Sequence, residues 1–114
     1  MAEYMFLFRG GMPHTPGEME THMHKWIAWM DELRAKGHLK ATAPLESNNG
    51  KVVSGKKKAV TDGPFAEAKD LVGGYSVIEA RDLAHATELS MGCPIFEYDG
   101  TVEVRTVLAV PSKK

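Results

Sequence analysis

The strands expected at the two ends of this chain carry apolar side chains on both faces, which limits its possible folds more than any other feature. Residues 4–8 are aromatic and aliphatic, too short a run for a helix, and stop at Gly10-Gly11. As a strand they put Tyr4, Phe6 and Phe8 on one side and Met5 and Leu7 on the other, with Arg9 closing the second set. Residues 101–110, rich in β-branched types, set Val107 opposite Val104 and Leu108. Two stretches have helical character, and two helices cover only one face of a sheet. The second apolar face needs a second body. The economical one is another copy of the same sheet, related by a two-fold axis.

The helices are well marked. Thr15-Pro16-Gly17-Glu18 has the form of a capping box with proline at the first helical position. Met19, Met23, Trp26, Ile27, Met30 and Leu33 then recur at helical spacing, and Gly37 supplies the stop. Asp82 is placed to cap a second helix with Leu83, Ala86, Leu89 and Ser90 inward, ending at Gly92-Cys93-Pro94. Between the helices, residues 39–45 read as a strand and Asn48-Asn49-Gly50 as a hairpin turn. Val52-Val53-Ser54 and Ala59-Val60-Thr61 read as short strands around Gly55, and residues 71–80 as a longer one. The order predicts a single α+β domain over residues 1–114: a ferredoxin-like sandwich, an antiparallel sheet with two helices on one face.

Thr61-Asp62-Gly63-Pro64-Phe65 is the sharpest local signal. Asp-Gly-Pro combines three turn formers, and Pro64 has no N–H for the Asp62 carboxylate to accept. That carboxylate is left for the N–H of Phe65 or Ala66, a cation or a ligand, with the Phe65 ring beside it. Together with Ala66-Glu67 and Gly73-Gly74-Tyr75, this stretch resembles the DGPF group of the YCII-related proteins, and the resemblance runs over nearly the whole chain. It implies a dimeric α+β barrel. It also implies a small-molecule pocket near the barrel mouth, with ligand binding or acid–base chemistry of lyase or dehalogenase type on aromatic metabolites. Other branches of the family use a histidine on the first helix and an aspartate before a proline after the second. Those positions hold Trp26 and Cys93 here, so His22 and Asp62 are the stand-ins for the catalytic pair. The same resemblance supplies the alternative of a non-enzymatic interaction module, since DGPF proteins are associated with transcription factors of the sigma type. The sequence fixes neither the ligand nor whether the protein is an enzyme.

Other residues could hold a ligand. Arg9 shares a face with Met5 and Leu7, and Arg105 shares one with Glu103 and Val107. If the first and last strands pair with matching faces, two guanidiniums meet on the concave side with Glu103 between them, able to grip a carboxylate or phosphate. Trp26, Phe65 and Tyr75 would supply the aromatic walls. His22 and His24 stand about 200° apart on a helix and cannot share an ion; no spacing resembles a zinc site. Gly73-Gly74 lacks the Lys-Ser/Thr of a phosphate cradle and reads as a bulge or a close backbone approach. No metal or cofactor is expected. Cys93 at a helix C-terminus is a poor nucleophile. Lys56-Lys57-Lys58 reads as a solvated hairpin tip, and a net charge of −1 gives no field drawing the chain to nucleic acid or anionic lipid. One cysteine, no basic leader and no long apolar run make a cytoplasmic protein the expectation.

Overall fold

A computed structural model describes residues 1–47, 49–63 and 71–111. Strand β1 (Ala2–Arg9) leads into helix α1 (Pro16–Ala35), then β2 (Leu39–Pro44), β3 (Gly50–Ser54) and β4 (Ala59–Gly63). Strand β5 (Val72–Ala80), helix α2 (Leu83–Ser90), a 3₁₀ turn (Pro94–Tyr98) and β6 (Thr101–Thr106) complete it. One antiparallel sheet has the order β2-β5-β1-β6, and β3 with β4 forms a separate two-stranded sheet. Each helix connects two strands that flank a third, the double split β-α-β of the ferredoxin-like sandwich. The α+β class read from the sequence is the observed one.

The core lies between the sheet and the helices. Tyr4, Phe6 and Phe8 of β1 and Ser76, Ile78 and Ala80 of β5 all point into it. Phe6 lies parallel to Trp29 of α1 with ring centroids 6.2 Å apart, and Phe8 meets Trp26 edge-on at 4.9 Å. Aromatic pairs in these geometries add about 0.5–1.5 kcal/mol beyond the area they bury. Both caps form: the Glu18 N–H donates to Thr15 Oγ1 at 3.2 Å and the His85 N–H to Asp82 Oδ1 at 2.8 Å.

Several local expectations are corrected. The buried stripe of α1 runs through His22, Trp29 and Leu33 with Trp26 and Met30 beside it, leaving Met23 and Ile27 exposed. In α2, Ala86 and Ser90 are buried while Leu83 is exposed. The last strand stops at Thr106, four residues before the expected end at Val110. Asn49-Gly50 does not join β2 to β3 as a hairpin, since β2 pairs with β5; Asn48 itself is outside the described residues. The hairpin turn that exists is at Gly55, where the Lys58 N–H donates to the Gly55 carbonyl at 3.1 Å, and the lysines are its tip. Gly73 is the extra residue of a bulge, because Phe8 faces Gly74 and Arg9 faces Val72. A Cβ on Gly74 would come within 3.0 Å of the Ala43 carbonyl oxygen, the close approach that the paired glycines suggested.

Candidate functional site

Register decides which candidates share a surface. Tyr75 and Glu103 lie on either side of Leu7, Val77 and Arg105 on either side of Met5, and Thr101 beside Arg9. Directly opposed residues of antiparallel strands point to the same face. Met5, Leu7, Arg9, Tyr75, Val77, Glu103 and Arg105 therefore stand together on the sheet face away from the helices. The centre of this face is a half-buried apolar floor, and its β6 edge is charged.

At that edge the expected triad forms within one chain. Arg9 Nη1 donates to Glu103 Oε1 at 2.6 Å, and Arg105 Nη1 donates to Glu103 Oε2 at 3.2 Å. The hydrogen bond from Arg9, and then that from Arg105, hold the Glu103 carboxyl below the ordinary carboxylate range. Two guanidiniums share one carboxylate, so the group keeps one positive charge in excess. Arg105 remains well exposed and has N–H groups to spare.

His22 and Trp26 lie on the other side of the sheet, under the helices. The His22 ring is only 3% exposed and accepts a 2.9 Å hydrogen bond from Trp26 Nε1 at its Nε2. That bond places the proton of the neutral ring on Nδ1, which is buried and, among the described residues, has no partner in good hydrogen-bond geometry, although the Gly11 backbone lies near enough to act on the ring. Tyr98 of the 3₁₀ turn meets the ring edge-on at 4.9 Å. Burial is the main influence on the imidazole and lowers its pKa; Glu97 opposes this and Lys25 adds to it. Trp26, expected from the sequence as an aromatic wall, is the residue that fixes the His22 ring. Tyr98 escaped the sequence reading because a 3₁₀ turn after Pro94 has no helical periodicity to reveal it.

Asp62 is elsewhere. It lies on β4 of the separate hairpin, 83% exposed at its side chain, and pairs with Lys51 across the ladder. Among the described residues no hydrogen bond or ion pair joins it to His22. Phe65, Glu67, Lys69 and Asp70 fall outside the described residues. Cys93 is buried at the entry to the 3₁₀ turn, and desolvation pushes its thiol up to about 12. Among the described residues no three potential ligands gather to hold a metal ion, and no helix is long and apolar enough to cross a membrane.

A sheet of this order with both helices on one face is a ferredoxin-like α+β sandwich, here with a charged, half-apolar surface on its other face. The chain belongs to the YCII-related domain family, whose model matches residues 3–111. Its fold is similar to that of a 5-chloro-2-hydroxyhydroquinone dehydrochlorinase from Burkholderia phenoliruptrix AC1100, solved in complex with 2,5-dihydroxybenzoquinone. The TM-score is 0.50 at 13% identity, over 93% of each chain, a likeness of fold. No curated protein matches.

Proposed function

We propose that this protein binds a small aromatic carboxylate on the open face of its sheet, in a chamber closed by a second copy of the chain. The observation that carries this is the Arg9–Glu103–Arg105 group, one positive charge in excess on the rim of an apolar floor. A ligand carboxylate takes the spare N–H groups of Arg105, and its ring lies on Leu7, Met5 and Val77 beside Tyr75. A bidentate guanidinium–carboxylate contact is strong where water is partly excluded. The second copy both covers the floor and lowers the dielectric around the charges. The dihydroxybenzoquinone bound by the dehydrochlorinase of similar fold supports an oxygenated six-membered ring as part of the ligand.

Binding ranks ahead of acid–base catalysis. His22 is enclosed under the helices with one nitrogen occupied by Trp26, and Asp62 is paired to Lys51 on the hairpin. A reaction using both would need the two brought together from different chains.

The test is calorimetric titration with a hydroxybenzoate and with the corresponding uncharged phenol. The carboxylate is expected to bind at least tenfold more tightly than the phenol, and Arg105→Ala to abolish that preference. Equal binding of both compounds, or an unchanged preference in Arg105→Ala, would sink the proposal.

A further inference from the structure

The β3–β4 hairpin is a sheet of its own, separate from the four-stranded one. Every described side chain in its two strands is exposed, and among the described residues no strand or helix of the body packs substantially against it. Its register pairs Val53 with Val60 on one face and Val52 with Thr61 on the other. Val53 and Val60 are each 62% exposed and Val52 is 40% exposed. A lone two-stranded hairpin is marginal in water, and one with valines bare on both faces lacks even a single solvated side. The whole molecule shows the consequence: its radius of gyration is 16.0 Å, against about 13 Å for a compact domain of this length.

We propose that this hairpin is an arm that docks on the body of a second copy of the chain. The inference rests on the two-copy chamber proposed above and adds a second contact to it. Charge supports the choice of occupant. The hairpin carries Lys51, Lys56, Lys57 and Lys58 against the single Asp62, a net +3; with the chain at −1, everything outside the hairpin carries −4. Body and arm are therefore of opposite sign, so a second copy attracts the arm electrostatically before any apolar surface meets. Geometry agrees. Next to the segments that lead to and from the arm, Pro44 faces Gly74 and Val72 faces Arg9. The arm thus leaves the sheet at the end where the charged group of the open face stands. A second sheet lying on that face places its body within reach of the arm.

The full chain is examined by sedimentation equilibrium, in wild type and three variants: Val53→Asp/Val60→Asp, Lys56→Glu/Lys57→Glu/Lys58→Glu, and Leu7→Arg on the open face. The arm variants are expected to weaken dimerisation at least tenfold while far-UV circular dichroism stays unchanged, since the arm supports nothing in its own body. For the lysine reversals, the loss should shrink as salt is raised. Hydrogen exchange supplies a second reading that needs no variant: the amides of residues 52 and 60 should gain protection as protein concentration rises. A dimer that Leu7→Arg breaks but the arm variants leave at wild-type strength overturns the arm and leaves the sheet-face contact standing. A wild type that stays monomeric at high micromolar concentration overturns both. Lysine reversals that abolish retention on heparin without changing dimerisation overturn the arm in favour of a nucleic-acid contact.

Discussion

His22 shows how one buried side chain ties a local hydrogen bond to the behaviour of the domain. Its Nε2 holds Trp26 Nε1, and Trp26 in turn packs edge-on against Phe8 and Trp29. Protonation would put a hydrogen on the nitrogen that must accept, so the bond and the charge exclude each other. Burial lowers the His22 pKa in the folded chain, so the unfolded chain takes up the proton first as the solution is acidified. Stability from this residue is complete above the ordinary histidine range. It is lost as pH falls below the unfolded value of about 6.5 toward the lower folded one. His22→Gln, with an amide oxygen to accept from Trp26, is expected to flatten the fall in melting temperature between pH 7 and pH 5. An unchanged slope would show that other groups carry it. His22→Ala leaves the Trp26 N–H without its partner and should cost about 2 kcal/mol in denaturant unfolding. Cys93 gives a simpler expectation. With a thiol at about 12 and almost no exposure, it should resist iodoacetamide at pH 8 in the native protein and react at once in guanidinium. Fast labelling of the native protein would contradict both its burial and its inertness.

At the level of elements, the tightest joint is where the β1–α1 loop passes the entry to β6. Gly11 and Gly100 lie back to back: a Cβ on Gly100 would stand 2.4 Å from Ile95 Cγ1 and 2.8 Å from Gly11 Cα. The Ile95 side chain could turn aside, but the Gly11 backbone cannot. Gly100→Ala should destabilise the domain by about 2–3 kcal/mol, read as a lower denaturant midpoint at unchanged slope. A variant as stable as wild type would mean the loop yields. Gly100 drew no notice in the sequence, because a contact between glycines 89 positions apart leaves no local pattern. What was legible followed short-range chemistry. The capping residues Thr15 and Asp82, the stop at Gly37, the alternation of β1 and the bulge at Gly73 each act within a few residues. The helix faces were less so. Met23 and Ile27 fit the α1 spacing as well as His22 and Trp29 do, and only the position of Phe6 and Phe8 beneath the helix selects the second pair. The partition of the site was not legible at all. Arg9, Tyr75 and Arg105 share a face by strand parity, but whether His22 lies on that face depends on which side α1 packs. Asp62 was separated from His22 by a hairpin that pairs with itself and not with the sheet.

For the molecule as a whole, the open sheet face and the hairpin are without a partner among the described residues of one chain. If a second copy supplies both, folding and association are linked, and stability must depend on how much protein is present. A folded dimer that dissociates as it unfolds gains about 1.4 kcal/mol per mole of dimer for each tenfold rise in concentration above its dissociation constant, half of that per chain. For a domain near this size, 1 kcal/mol moves the melting temperature by roughly 4–8 °C. The expected rise is therefore about 3–6 °C per decade between 1 and 100 μM, measured by circular dichroism in cells of different path length. Leu7→Arg places a charge in the middle of the apolar floor, beside Tyr75 and Glu103 on the neighbouring strands. It is expected to lower the melting temperature at high concentration and remove its dependence on concentration, because a chain that no longer pairs unfolds as a monomer. The direction of the change also separates two kinds of damage. A variant harmed only within its own core would melt lower yet keep the slope of the wild type. A wild type with no slope would mean that the half-buried floor of Met5, Leu7, Tyr75 and Val77 is stable facing water. The chamber would then have to be an open cleft on one chain, with Arg105 reaching the ligand from solvent.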